Sequence, residues 1–135
     1  MTVENPRDLP VSSQEDVVMV RQAVRARAVE IGLSLVDQTK VVTAASELAR
    51  NTFVHGGGGC ARIETVTDAG KKGMRLTFED HGPGIADISL AMKDGYTSGS
   101  GLGLGLGGSK RLSSEFFIES KPGEGTRVSI IRWKG

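Results

Sequence analysis

Met74-Arg75-Leu76-Thr77-Phe78-Glu79-Asp80-His81-Gly82-Pro83-Gly84 is the stretch on which the reading of the fold turns. Its first seven residues alternate, placing Met74, Leu76, Phe78 and Asp80 on one side of a strand and Arg75, Thr77 and Glu79 on the other. A carboxylate therefore ends an apolar, core-facing row. Burying a charge is costly without a partner, so Asp80 should meet a donor from the chain or from a ligand. Gly82-Pro83-Gly84 then supplies a tight backbone that can admit a flat ring close beside the acid. Capping of the turn is the plainer role open to the same aspartate.

Working outward, Cys60 to Thr67 is rich in β-formers, and Gly70-Lys71-Lys72-Gly73 predicts a hairpin connection into Met74–Asp80. Phe116–Ser120 and Thr126–Trp133 read as a second pair of strands joined by Pro122-Gly123-Glu124-Gly125. Thr126, Val128 and Ile130 share one face, so a hydroxyl again lies on an apolar row. Ser12 followed by Glu15 fits a capping box. Val17, Val20, Val24, Ala28 and Ile31 continue from it at helical spacing, and Gly32 is a stop. A second helix is expected from Leu35 to Val54, ended by the four glycines 56–59, a run that reads as loose. Short helices are expected near Ile88–Met92 and Gly105–Leu112. Residues 1–11 read as an irregular or short extended N-terminal arm and 12–135 as one domain. The fold class is α+β: a two-layer sandwich with helices on one face of a mixed, mostly antiparallel sheet.

Composition narrows the function. Seventeen basic and sixteen acidic residues give a net charge of +1, which removes the electrostatic argument for binding nucleic acid or a membrane surface. No apolar run approaches the roughly 20 residues that span a bilayer. The single cysteine, Cys60, excludes an internal disulfide and a multi-cysteine metal site. A cytoplasmic location is the default expectation. Glycine is the outlier, with 19 residues, ten of them in two clusters.

The second cluster, Gly99-Ser100-Gly101-Leu102-Gly103-Leu104-Gly105-Leu106-Gly107-Gly108, combines a pliant backbone with anchoring leucines. Bare amides there can point at phosphate oxygens ahead of a helix N-terminus. The Walker pattern fails around Lys110, which no Ser or Thr follows. Gly103-x-Gly105-x-x-Gly108 matches a dinucleotide fingerprint but follows no strand. His-Arg-Asp and Asp-Phe-Gly elements are absent. On the second helix, Glu47 and Asn51 stand at i,i+4 and share a face. Both offer hard oxygen donors of the kind that suit Mg²⁺, although such a pair also occurs on solvated helix faces. His55 and His81, beside glycines at element ends, read as ordinary turn histidines.

Taken in order, Glu47-Leu48-Ala49-Arg50-Asn51, Asp80-His81-Gly82-Pro83-Gly84, the Gly101–Gly108 run and Gly123-Glu124-Gly125-Thr126 resemble the four boxes of the GHKL ATP-binding superfamily. Within it the chain resembles the small serine/threonine kinases of the RsbT and anti-sigma type. The likeness rests on Ser46–Asn51, Gly70–Gly73, Glu79–Ile85 and Lys110-Arg111-Leu112. Histidine kinases need a phosphoacceptor helix pair, and gyrase-like ATPases a further domain, neither of which is visible.

The resemblance implies ATP and Mg²⁺ as cofactors and assigns residue roles. Asn51 would coordinate Mg²⁺, and Glu47 would accept or position the proton of the substrate hydroxyl. Asp80 would take a hydrogen bond from the adenine amino group with help from Thr126, while Gly82 and Gly84 admit the base. Gly101, Leu102, Gly103, Leu104 and Gly105 would wrap the phosphates beneath a short lid from about Asp94 to Ser100. Arg50 and Lys110 could help neutralise the phosphate charge, although solvated surface cations are the plainer reading of both. The implied substrates are STAS-domain proteins of a bacterial partner-switching (stressosome) pathway. A metal-dependent serine/threonine phosphatase is the implied second partner, with no direct nucleic acid and no membrane. A nucleotide-gated anti-sigma factor or binding module with little turnover is the competing implication, and a non-kinase ATPase a third.

Overall fold

A computed structural model of the chain describes residues 1–92 and 105–135. Strands β1 (Thr2–Val11), β2 (Gly59–Asp68), β3 (Lys71–Asp80), β4 (Glu115–Ser120) and β5 (Thr126–Trp133) form a five-stranded sheet in the order β1-β2-β3-β5-β4. Every pairing in it is antiparallel. Helices α1 (Gln14–Glu30) and α2 (Leu35–Val54) cover one face, with the short α3 (Ile88–Ala91) and α4 (Leu106–Arg111) at one end. The expected two-layer α+β sandwich is the fold observed.

The alternation in β3 is what seats the helices. Met74, Leu76 and Phe78 are all at most 2% exposed. They join Ala61 and Ile63 of β2 and Val128 and Ile130 of β5 in one core with Val20, Val24, Val41, Ala45, Leu48 and Ala49 of the helices. Each large side chain buried there contributes about 1.5–3 kcal/mol.

Three details differ from the sequence reading. Residues 1–11, read as an irregular or short extended arm, form a full edge strand, paired with β2 from Thr2↔Thr67 to Val11↔Gly59. The ladder slips between Glu4 and Arg7, where Asn5 takes φ 50°. Pro6 and Pro10 disguise the strand, because proline is tolerated in a sheet only at edges and bulges. The cap of α1 is Ser13 rather than Ser12: its hydroxyl accepts from Asp16 N–H, and Asp16 in return accepts from Ser12 N–H. The hairpin turn is tighter than expected, leaving Lys71 to Gly73 inside β3.

Helix α2 has the expected bounds. Ser34 caps it by accepting from Asp37 N–H, and its far end runs into His55 and Gly56, whose N–H groups both reach Asn51 O. A partly buried ion pair, Arg132 Nη2 to Asp37 Oδ1 at 2.6 Å, ties the start of α2 to β5. The same guanidinium beside Asp37 holds its carboxyl below the usual value of 3.8.

Candidate nucleotide site

Asp80 closes β3 on the buried side, only 8% exposed, and sits directly across from Thr126 on β5. The chain returns on itself to meet it: Gly82 N–H donates to Asp80 Oδ1 at 2.9 Å. Among the described residues this is the hydrogen bond the carboxylate receives, so its second oxygen retains acceptor capacity. Thr126 Oγ1 lies 2.8 Å from Ser120 Oγ. Ser120 also donates to Gly125 O and accepts from Ile85 N–H. Its single proton is thus committed to Gly125, which makes Thr126 the donor in the hydroxyl pair. Ser120 was not singled out from the sequence, since nothing marks a strand serine as the junction of three segments.

In front of these two residues lies a cavity of about 220 Å³. Leu48, Phe78, Ile85, Leu106 and Val128 give it apolar walls, while Asn51, Thr52, His55, Asp80 and Thr126 supply the polar groups. An apolar recess with a few converging polar atoms is the usual form of a small-molecule site. Glycines let the backbone around it pack closely. A Cβ at Gly84 would overlap Lys121 O and one at Gly125 would overlap Asp80 O, so the β4–β5 turn can close tightly behind the acid.

Asn51 reaches the cavity from the last turn of α2. Glu47, one turn earlier and half-buried, is not among its lining residues. Its carboxylate lies instead against Gly105, where a Cβ would come within 2.6 Å of Glu47 Oε2. Gly105 begins α4 with φ 64°, a conformation that glycine adopts without steric cost. Leu106 then drops into the cavity wall, only 2% exposed. The structure thus brings Asn51, Asp80, Gly84 and Thr126 onto one cavity, sets Gly82 behind the acid, and leaves Glu47 and Gly105 facing each other beside it. Gly101, Leu102, Gly103 and Leu104, like the lid expected over Asp94–Ser100, lie outside the described residues.

Among the described residues no group of three or more His, Cys, Asp and Glu is placed to hold a metal ion. One helix face offering an amide and a carboxylate suits an ion that arrives with phosphate oxygens, which is how Mg²⁺ is commonly bound. Arg50 is half-buried and Lys110 exposed. His55 is more than a turn residue: it lines the cavity, and its Nε2 is buried with no hydrogen-bond partner among the described residues. Burial, and then the charge of Arg50, push its imidazole below the usual 6.5. No described helix is long and apolar enough to cross a membrane.

Residues 36–134 match the histidine kinase-, DNA gyrase B- and HSP90-like ATPases. That match takes in α2, the whole cavity and every strand except β1. The chain belongs to this ATPase family. Among the family's curated proteins, the serine/threonine-protein kinase RsbT of Bacillus subtilis is 47% identical over 123 residues, 91% of this chain and 92% of that one. The anti-sigma F factor of Clostridium kluyveri is 32% identical over 123 residues, 87% of this chain and 86% of that one. In fold, the chain is similar to the crystal structure of the RsbU and RsbW domains of Rv1364c from Mycobacterium tuberculosis. The TM-score is 0.61 at 22% identity, over 96% of this chain and 32% of that one.

Proposed function

We propose that this protein is an ATP-dependent serine/threonine protein kinase of a bacterial partner-switching pathway, working in the cytoplasm on STAS-domain proteins. The observation that carries the reading is Asp80: a buried acid with acceptor capacity to spare, held at a strand end beside Thr126 and facing a glycine-walled apolar cavity. An adenine amino group supplies the donor that such an acid lacks. The 47% identity to a relative named as a serine/threonine-protein kinase supports the transfer chemistry.

Asp80 and Thr126 orient the base, while Phe78, Val128 and Leu106 exclude water from its faces. Asn51 and the neighbouring carboxylate of Glu47 would offer oxygen donors to the phosphates and their Mg²⁺, and the family resemblance gives Gly101, Leu102, Gly103, Leu104 and Gly105 the role of wrapping the phosphates. ATP with Mg²⁺, when bound, supplies the transferable γ-phosphoryl group. Glu47 accepts the proton of the incoming serine or threonine hydroxyl, a general-base contribution of typically 10²–10⁴-fold. Phosphorylation would release the STAS partner and free the kinase to engage a metal-dependent serine/threonine phosphatase.

The relatives named anti-sigma F factor favour a second reading, in which nucleotide gates binding and turnover matters little. Incubation with γ-labelled ATP, Mg²⁺ and small STAS-domain proteins separates the two. The kinase reading expects label on a serine or threonine of the partner. Nucleotide-dependent binding without label would replace it with the second reading.

A further inference from the structure

The four-glycine run after α2, which reads from the sequence as slack, is tightly packed at its first member. Gly56 lines the cavity, and a Cβ built on it would overlap Asp80 Cγ and Oδ2 and lie 2.6 Å from Asp80 Cβ. Both partners in that contact are held in place by their neighbours. On one side the Gly56 backbone is held by α2, its N–H bonded to Asn51 O at 3.0 Å. On the other it is backed by Gly82, where a Cβ would lie 2.6 Å from Gly56 O and 2.8 Å from its Cα. Asp80 is fixed by the β3–β5 ladder and by Gly82 N–H.

The contact differs from those of the neighbouring glycines. Among the described residues, the three atoms nearest a Cβ at Gly84 and at Gly125 are all backbone, and a Cβ at Gly57 has nothing within 4 Å. Gly56 alone among them meets the functional carboxylate itself. A side chain there would push the carboxylate off the direction that the ladder and the Gly82 N–H give it.

We infer that Gly56 is a positioning residue for base selection: the missing side chain at this position fixes the direction of the Asp80 carboxylate and so sets the preference for a purine bearing a 6-amino group. This rests on the reading that adenine occupies the cavity. It adds that the choice of base is made jointly by the end of α2 and the end of β3, rather than by the acid alone. Because Asn51 O holds the Gly56 N–H, the base end and the phosphate end of the site meet within one turn of backbone.

The test compares Gly56→Ala with Asp80→Asn, using calorimetry with Mg·ATP and with Mg·purine riboside triphosphate, which lacks the exocyclic amino group. Wild type should prefer ATP by about tenfold or more, since a site built to donate or accept one hydrogen bond rejects the analogue without it. Both variants should narrow that preference to about threefold or less. A loss of general stability would weaken the two nucleotides alike and leave their ratio unchanged. If wild type shows no preference, or Asp80→Asn retains it, the adenine reading falls and this inference with it. If those two behave as expected but Gly56→Ala keeps the full preference, the inference alone is overturned.

Thermal unfolding without nucleotide gives an independent arm, and it also serves if Gly56→Ala folds poorly. Overpacking should lower the midpoint of Gly56→Ala by about 5 °C or more. Adding Gly56→Ala to Asp80→Gly, which has no side chain to strike, should cost about 1 °C or less relative to Asp80→Gly. Equal losses in both backgrounds would show that the added methyl meets something other than Asp80, and would overturn the assignment.

Discussion

Asp80 and Glu47 are both carboxylates beside one cavity, yet the molecule holds them in unlike ways. Asp80 is locked by sheet register opposite Thr126, by a hydrogen bond from Gly82, and by Gly56 packed against its side chain. Among the described residues Glu47 has no such frame: it stands half-buried on a helix face, against Gly105 at the start of a six-residue helix whose buried residues are Leu106 and Ser109. In the proposed reading, recognition of the base would be an extension of the hydrophobic core, whereas the phosphates would be met by groups on a helix face. The contrast suits the chemistry, because a purine presents the same edge throughout a turnover while the phosphates and the incoming hydroxyl change partners.

The largest expected effect separates the two ends outright. Glu47→Ala should lower phosphoryl transfer by roughly 10²–10⁴-fold while leaving the Kd for Mg·ATP within about threefold, read by label transfer and calorimetry in parallel. A variant that still phosphorylates its partner at the wild-type rate would remove Glu47 from the base role and leave the contrast without a catalytic side.

Next comes the joint between the layers. Asp37→Asn breaks the partly buried pair with Arg132 that pins α2 to β5, and should cost about 1.5–3 kcal/mol in urea unfolding. The pH dependence has a definite sign. The Arg132 hydrogen bond lowers the Asp37 pKa in the folded state from 3.8, so this stabilisation is present above pH 3.8 and is lost as pH falls below it. The wild-type stability curve should drop more steeply there than that of Asp37→Asn; parallel curves would contradict the pairing.

A smaller effect probes the base end. Ser120→Ala leaves Gly125 O without its hydroxyl donor and Thr126 and Ile85 without their shared acceptor, and should cost about 1–3 kcal/mol together with some ATP affinity. Unchanged affinity would show that Thr126 needs no orienting partner. The smallest concerns α4, where an added Cβ at Gly108 would have nothing closer than Arg111 Nη2 at 3.8 Å among the described residues. Gly108→Ala should raise stability by about 1 kcal/mol, the helix-propensity difference. A destabilised variant would mean that α4 is packed more closely than its contacts indicate.

The same contrast explains what was legible in the sequence. Period-two alternation in Met74–Asp80 and Thr126–Trp133 is a direct imprint of a half-buried sheet, so the strands, the helix face they carry and the inward turn of Asp80 could be read from pattern. The end of α2 was equally clear, since the glycine run marks it. What pattern could not convey is contact between distant segments. Ser120 gathers Thr126, Gly125 and Ile85 only once β4 and β5 have paired, and Gly56 is tight rather than loose only because β3 brings Asp80 against it. Strand β1 was hidden for another reason: its prolines and polar residues follow from its place at the edge.

The central claim is that Asp80 grips the base, and calorimetric titration of Mg·ATP into wild type and Asp80→Asn tests it most directly. Exchanging the acceptor oxygen for an amide should raise the Kd at least tenfold, the equivalent of one charge-assisted hydrogen bond, with the unfolding midpoint of the free protein little changed. Equal affinities for the two proteins would contradict the account.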